Sequence, residues 1–277
     1  MRRLRAFCAV ALVLLAAPAA AQAAGTPPGC GPASLTGGEW RTYGGDLSNS
    51  RNQHDEKVIS AADVPSLTSA WVFSSVANGG AGDFTGTPIV ADGCMYIAST
   101  RGWVFAVNAD SGKLVWKTKV PYGGGVNSSV AVAERTLPVA KVKSVKKKKS
   151  AKKGKRRKHA KKRTKKKTAK AHRSAAPKTA GTIYLAVTRT QKFENCPPGD
   201  PCTGPYVVAL DQASGQVVWS SSPVDTQPGA DVYGSPIVYQ RALMIGVSGG
   251  AAELGDEADR IAFQGSLNFL DASTGAV

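Results

Sequence analysis

The stretch from Gly86 to Trp116 is the feature that most constrains the fold, because parts of it recur along the chain. It reads GTPIVADGCMYIASTRGWVFAVNADSGKLVW, with four short runs of alternating, β-branched or aromatic residues separated by three breaks. Each break contains Gly beside Asp, Arg or Ser, which is the composition of tight hairpin turns. None of the runs is long enough for an ordinary helix. The stretch therefore predicts a four-stranded antiparallel meander.

Two later segments repeat parts of this unit. The ending FAVNADSGKLVW, at 105–116, returns as VVALDQASGQVVW at 207–219 and as NFLDASTGAV at 268–277, and GTPIV returns as GSPIV at 234–238. In the shared turn, Gly supplies positive φ and an Asp or Asn side chain caps the backbone. Such repeats predict an all-β fold, a β-propeller of four-stranded antiparallel blades. The Trp that ends an outer strand is expected to pack between neighbouring blades.

The repeat resembles the Trp-docked blades of the quinoprotein (pyrroloquinoline quinone, PQQ) dehydrogenase-like propellers. The segment EWRTYGGDLSNSRNQHDEKVISAADVPSLTSAWVF, at 39–73, is similar to the entry segment that leads through a short connector to the first strand in those enzymes, above all in the polyvinyl-alcohol-dehydrogenase-like members. Residues 63–67 are expected to form one short helical turn, and residues 71–74 to begin the sheet as an outer strand. The resemblance covers residues 39–277 apart from one insertion. A closed propeller of that family has about eight blades of roughly 40 residues. We therefore expect a partial propeller of about 2.5–3 blades, as the N-terminal fragment of a longer protein.

The N-terminus has the pattern of a secretory signal peptide, which we assign to residues 1–24. It combines a basic start with an apolar run at 6–17, too short for a comfortable membrane span, and an Ala-x-Ala site at 21–23. A Pro/Gly/Ala-rich linker follows at 25–38, and the propeller is assigned to 39–277. We expect an exported protein, secreted or in the periplasmic or cell-wall space, without a transmembrane anchor.

A single segment carries nearly all of the excess charge. The net charge is +17, yet 21 of the 36 Lys and Arg residues and none of the 19 Asp and Glu residues lie between Lys141 and Lys178. Residues 138–180 are expected to be a disordered, low-complexity insertion in a hairpin turn of the second blade. Two interpretations stay open: sequence-blind binding of polyanions such as wall polymers, or a tolerated expansion of a surface turn. Sequence-specific nucleic-acid binding is not expected, because the segment has no aromatic residues.

The cysteines predict disulfides. Four of the five remain once the signal peptide has left, an even number in an oxidising compartment. Cys196 and Cys202 bracket a short Pro-rich loop, so we pair them and leave Cys30 with Cys94, which would tie the linker to the first blade. A metal–thiolate site is the alternative, although the Cys and His spacings match no recognisable zinc pattern.

The resemblance also implies a cofactor loop in the third blade. In the family the quinone lies on the propeller axis, and a calcium or lanthanide ion bridges it to a Glu that follows a short Ser-Gly-Ala run. The segment VSGGAAELG at 247–255 is similar to that run. It implies Glu253 as the metal ligand and, as PQQ-binding residues, Ser248, Gly249, Gly250, Ala251 and Ala252. Small residues let backbone amides approach a flat cofactor, and a carboxylate suits a hard cation; the alternative is a solvated acidic turn.

Two other positions depart from the family. Phe84 and Thr85 stand where the dehydrogenases have a carboxylate, and Ser128 stands where they have an Arg that contacts the quinone. The catalytic residues are not identified. The resemblance implies the N-terminal part of an exported PQQ- and Ca²⁺-dependent dehydrogenase that oxidises alcohols. The alternative is a non-catalytic propeller scaffold that binds proteins or, through its basic loop, wall polymers.

Overall fold

A computed structural model describes residues 29–31, 38–137, 179–188, 204–227, 229–249 and 263–277. These residues form three four-stranded antiparallel sheets and no α-helix. A single 3₁₀ turn at Val64–Ser66 lies where the sequence predicts a short helical turn. The all-β prediction and its four-stranded blades are thereby confirmed.

We call the three sheets blade A, blade B and blade C. Blade A consists of β1 (Ile89–Ala91), β2 (Cys94–Ala98), β3 (Trp103–Asn108) and β4 (Leu114–Lys119). Blade B consists of β5 (Ala131–Thr136), β6 (Thr179–Val187), β7 (Tyr206–Asp211) and β8 (Val217–Ser220). Blade C consists of β9 (Ala230–Asp231), β10 (Ile237–Tyr239), β11 (Ala242–Gly249) and β12 (Ser266–Asp271).

Blades A and B are meanders in which each strand pairs with the next in sequence. Their register repeats in detail, since both carry a β-bulge at the same place, between Ala106 and Val107 and between Ala209 and Leu210. Blade C has the order β10-β11-β12, and β9 pairs with the far end of β11. The blade predicted from Gly86 to Trp116 is therefore the structural unit of the described chain.

The hairpin turns follow the predicted chemistry. Asp92 and Gly93 close the β1–β2 hairpin with φ of 52° and 75°, a conformation that the Asp-Gly dipeptide adopts readily. The turn after β3 is capped by Asn108, whose Oδ1 accepts hydrogen bonds from the backbone N–H and the hydroxyl of Ser111, each at 2.8 Å. The equivalent carboxylate of Asp211 accepts the same pair of bonds in blade B.

The hydrophobic core lies between the blades rather than within them. One cluster joins Ile89 and Tyr96 of blade A to Ile183 and Leu185 of blade B, and all four are fully buried. A second cluster joins the other face of blade B to blade C. Each blade is therefore held by apolar contacts with its neighbours.

A docked Trp crosses each of these two junctions, and a third, Trp71, docks onto blade A from the segment that precedes it. The indole Nε1 donates to a backbone carbonyl in the following turn at 3.0–3.3 Å, for Trp71 to Ala109, Trp116 to Gln212 and Trp219 to Ala272. The rings lie against the glycines of those turns, Gly112, Gly215 and Gly275. The predicted packing of Trp between blades is confirmed. The sequence also assigned residues 71–74 to a strand, which is wrong: Trp71 docks without belonging to one.

The N-terminal arm, which we define as residues 39–70, is fixed to blade A by its first residues. Trp40 forms an isolated antiparallel bridge with Val90. Arg41 makes ion pairs with Glu39 at 2.8 Å and with Asp92 at 3.0 Å. The predicted Cys30–Cys94 disulfide is present, with a Cα–Cα distance of 5.4 Å, and it ties residues 29–31 to β2.

Strands β5 and β6 pair up to the two ends of the basic segment. Thr136 and Thr179 are register partners, and they flank residues 138–178, which lie outside the described part of the chain. Thr179 and Ala180, which the sequence assigned to the insertion, are the first residues of β6. The predicted Cys196–Cys202 disulfide and the signal peptide also lie outside the described residues.

Blade C exposes the face that blades A and B bury. On this face Ile237, Tyr239, Leu267 and Phe269 are 43%, 54%, 61% and 54% exposed. Their counterparts in blade A, at the same positions of the repeat, are fully buried: Ile89, Ala91, Val104 and Ala106. A Cβ added at Gly234 would meet no atom within 4 Å, whereas one at its counterpart Gly86 would meet the backbone of Ser128.

Candidate functional site

The structure places the start of the predicted cofactor loop at the end of β11. Ser248 and Gly249 are the last residues of that strand and pair with Asp231 and Ala230 of β9. The other predicted residues, Gly250, Ala251, Ala252 and the metal ligand Glu253, lie outside the described residues.

The repeat assigns a structural counterpart to Ser248 in each of the other blades. In blade A, Thr100 donates its N–H to the carbonyl of Asp83 at 2.9 Å, and its Oγ1 accepts from the N–H of Asp83 at 3.1 Å. In blade B, Thr188 makes the same two bonds with Gly125, at 2.8 and 3.0 Å. Each Thr thus fixes the connector that leads into its own blade.

Ser248 occupies the third copy of this position. It follows Met244 by four residues, as Thr100 follows Tyr96 and Thr188 follows Tyr184. Its partner Asp231 precedes Gly234 by three residues, as Asp83 precedes Gly86. The position that resemblance links to the quinone is therefore one that the fold itself uses for a hydroxyl residue. The sequence signal is a hydroxyl residue four positions after Tyr96, Tyr184 and Met244 in the repeat: Thr100, Thr188 and Ser248.

Gly249 is close-packed against the chain beyond the loop. A Cβ at this residue would lie 3.0 Å from Cδ1 of Phe263, which is tighter than an ordinary contact. Phe263 in turn packs against the apolar cluster between blades B and C. Glycine at this position is thus explained by packing within the protein.

A second repeated contact lies where the inner strands begin. The N–H of Thr87 donates to Ser129 Oγ at 2.8 Å, and the N–H of Ser129 donates to Ser235 Oγ at 3.0 Å. These hydrogen bonds link three successive blades through equivalent positions. Beside them, Ser128 Oγ is buried and has no hydrogen-bond partner in the described part of the chain.

Phe84 belongs to an aromatic cluster. Its ring centroid lies 6.2 Å from that of Phe73 and 5.8 Å from that of Phe105, with an edge-on geometry in the second pair. All three rings pack against the face of blade A that is turned away from blade B. The position where the dehydrogenases have a carboxylate is therefore part of the hydrophobic core.

Burial and hydrogen bonding shift the pKa of several groups near the blade junctions. Burial raises the pKa of Tyr184 to about 12, and its hydroxyl donates to the carbonyl of Ala272 at 3.0 Å. Burial alone would raise the pKa of Asp225, but hydrogen bonds from Gln227 and Ser266 outweigh it and hold that pKa below its usual value. These groups hold blade junctions and loops together.

The described residues do not by themselves fit a carboxylate-bearing quinone and its cation. Among them, no group of three or more His, Cys, Asp or Glu side chains is close enough to hold a metal ion. Ser128, whose hydroxyl is the one buried hydroxyl without a partner in the described ranges, stands where a cationic side chain is expected from the family. The described part of the chain therefore shows no complete site for this cofactor.

The architecture defines the class of protein: a β-propeller segment whose blades are joined by docked Trp residues. Residues 40–157 match the family described as "glucose/ethanol/alcohol dehydrogenase, beta-propeller domain" (PQQ). This match covers less than half of the chain and agrees with its resemblance to the quinoprotein (PQQ) dehydrogenase-like propellers.

Similar proteins agree with this match. Polyvinylalcohol dehydrogenase from Pseudomonas sp is 25% identical over 86% of this chain, which covers 28% of that relative. The enzyme of the same name from Sphingopyxis sp. (strain 113P3) is 25% identical over 86% of this chain, which covers 38% of it. The crystal structure of quinohemoprotein alcohol dehydrogenase from Comamonas testosteroni superposes with a TM-score of 0.53, at 22% identity over 86% of this chain and 26% of that one. This likeness shows the fold, and the chain spans well under half of these relatives.

Among the described residues, there is no helix with the length and apolar character needed to cross a lipid bilayer.

Proposed function

We propose that this chain is the N-terminal part of an exported PQQ-dependent alcohol dehydrogenase-like propeller. The observation that supports it is the blade repeat with its docked Trp residues, in a chain whose relatives include enzymes named polyvinylalcohol dehydrogenase. When bound, PQQ accepts the electrons of the alcohol, and a cation polarises its carbonyl. Glu253 is the residue of this chain proposed to bind that cation, beside a backbone of small residues at 248–252.

The test measures cofactor binding as well as activity. The 277-residue protein is titrated with PQQ in the presence of Ca²⁺, and dye reduction is assayed with polyvinyl alcohol and with small alcohols. Glu253→Gln is expected to weaken Ca²⁺-dependent PQQ binding, and Glu257→Gln, a matched change in the same acidic stretch, is expected to leave it unchanged. Absence of binding at micromolar PQQ overturns the proposal for this chain.

A second candidate function is a non-catalytic scaffold that binds polyanions through its basic segment. It is favoured by the concentration of positive charge at 141–178, in a segment whose flanking residues Thr136 and Thr179 remain paired. Retention on an anionic wall polymer is expected to fall steeply with salt, because counterion release drives such binding. Deletion of residues 141–178 should abolish it, and retention that does not respond to salt would contradict this function.

A further inference from the structure

Two lysine side chains lie over one indole ring on blade A, with an arginine in the adjoining turn. Lys117 Nζ lies 5.3 Å and Lys119 Nζ 5.4 Å from the ring centroid of Trp103. The sheet register explains this, because Lys119 is the direct cross-strand partner of Trp103, and Lys117 is the partner of Phe105 two residues on. Lys119 Nζ also donates to the carbonyl of Arg101 in the adjoining turn. We call Arg101, Trp103, Lys117 and Lys119 the cationic cluster.

The cluster is held in place by the backbone. Lys117 Nζ donates to the carbonyls of Asn78 and Gly79 at 2.8 and 2.7 Å, and these residues belong to the connector that precedes blade A. Gly82 in the same connector lies directly against Arg101, where a Cβ would come within 2.7 Å of Cγ. The two lysine ammonium groups are therefore ordered before any ligand arrives, which lowers the entropic cost of binding.

No carboxylate compensates these charges within the described ranges. The ion pairs there lie elsewhere, at Glu39–Arg41, Arg41–Asp92 and Arg241–Asp271. Burial and, after it, the charge of Arg101 lower the pKa of Lys119, so the cations repel one another. A bound anion removes that repulsion.

Donors remain for an anion to use. An ammonium group carries three N–H donors and a guanidinium five. Lys117 gives two to backbone carbonyls and Lys119 gives one. Arg101 and both lysines are exposed, while Trp103 is half-buried beneath them. The cluster thus has further N–H donors exposed to solvent. The π face of the Trp103 ring beneath them holds the lysine ammonium groups.

We infer that the cationic cluster is a binding site for an oxyanion group, such as sulfate, phosphate or carboxylate. The site lies on the outer strands of blade A and is separate from the predicted cofactor loop of blade C. It also differs from the basic segment at 141–178, since it needs the folded register of β3 and β4.

The test follows the indole N–H of Trp103 by two-dimensional NMR of the ¹⁵N-labelled 277-residue protein, with the resonance assigned through Trp103→Phe. Sodium sulfate, phosphate and acetate are titrated against chloride at constant ionic strength. Saturable shifts with at least one oxyanion are expected, and the anion that binds most tightly identifies the class. The same titration of a variant that lacks residues 141–178 serves as a control, because anions bound by that segment then cannot contribute to the shift.

Two triple variants with the same loss of charge make the comparison. Arg101→Gln/Lys117→Gln/Lys119→Gln should weaken binding at least about tenfold, as the loss of several charge-assisted hydrogen bonds requires. Arg51→Gln/Lys57→Gln/Lys113→Gln removes exposed cations outside the cluster and should change the anion affinity less than about twofold. If the first triple variant loses its dispersed spectrum, Lys119→Gln alone is used, with Lys113→Gln as control. Shifts that do not saturate, or equal weakening in test and control variants, overturn the inference.

Discussion

The indole ring of Trp116 in blade A lies against Gly215 in blade B, so closely that a Cβ at Gly215 would come within 2.6 Å of its Cε3 atom. The contact is reinforced on both sides, because Trp116 Nε1 donates to the carbonyl of Gln212 at 3.1 Å and Thr118 Oγ1 donates to that of Gly215 at 2.6 Å. Gly215 has a φ of 70°, a left-handed conformation. Both the conformation and the packing at this junction therefore call for glycine.

Gly215→Ala should destabilise the protein by about 2–4 kcal/mol, since strain at positive φ adds to overpacking of the indole. Gly246→Ala is the matched control, because a Cβ there meets no atom within 4 Å, and its effect should stay within about 0.5 kcal/mol. Urea unfolding followed by Trp fluorescence measures both. Equal effects of the two substitutions would mean that Trp116 does not depend on Gly215 for its position.

Ser248→Ala and Ser248→Thr separate a structural from a cofactor role. If Ser248 acts as Thr100 and Thr188 do, Thr is tolerated and Ala costs about 0.5–1.5 kcal/mol, the value of one hydrogen bond. A residue that touches only PQQ would leave the stability of the free protein unchanged in both variants and alter cofactor affinity instead. Thermal unfolding without cofactor and PQQ titration, run side by side, distinguish the two roles.

Asp271 should make the protein less stable in acid. Burial alone would raise its pKa, but hydrogen bonds from the Ser273 N–H and from Arg241 outweigh it and hold the pKa below its usual value. Since the folded pKa is depressed, the stabilisation is complete above the unfolded pKa of about 3.9 and is lost as pH falls through the folded value. For a partly exposed pair the loss is about 0.5–1 kcal/mol.

Asp271→Asn should fold and remove that part of the acid sensitivity, because the equivalent turn in blade A uses Asn108. Arg241→Gln keeps the carboxylate of Asp271 but removes its cationic partner, and should remove only a fraction of the acid sensitivity. The measurement is the free energy of unfolding in urea at several pH values between 3 and 6. If the difference between wild type and Asp271→Asn does not change with pH, the depressed pKa is contradicted.

Phe269→Glu should cost less than about 0.5 kcal/mol, because the Phe269 side chain is 54% exposed on the open face of blade C. Ala209→Glu places the same charge at the equivalent position of blade B, which is fully buried, and should prevent folding. Circular dichroism shows whether each variant folds. Binding of a hydrophobic dye is compared between the wild-type chain and Phe269→Glu. Loss of dye binding in Phe269→Glu is the expected result, and unfolding of that variant would show that the face is covered.

The blades could be predicted because their signals are local. Alternating runs, Gly-containing turns and the Trp at the end of the outer strand each lie within a short stretch of sequence. Trp71–Ser74 misled for the same reason, since a run of apolar residues indicates a strand only if another strand lies beside it. Trp71 docks nevertheless, because docking needs the turn around Gly112 and no strand partner.

The site could be predicted only in part, because its contacts depend on the register between distant segments. Thr100, Thr188 and Ser248 become equivalent once β2, β6 and β11 are superposed, and each takes its partner from the connector before its blade. Likewise, Lys117 and Lys119 look like two surface lysines until the pairing of β3 with β4 brings both to Trp103. Resemblance placed the loop that contains Ser248, and register showed what that residue contacts.

The pairing of Thr136 with Thr179 has a practical consequence. Two residues that face each other across a hairpin can be joined by a chain of almost any length at small entropic cost, since that cost grows only with the logarithm of length. The open end of the β5–β6 hairpin can therefore accept an inserted sequence. A reporter or affinity module whose own termini lie close together can replace residues 138–178 there while leaving the strand register of blade B intact.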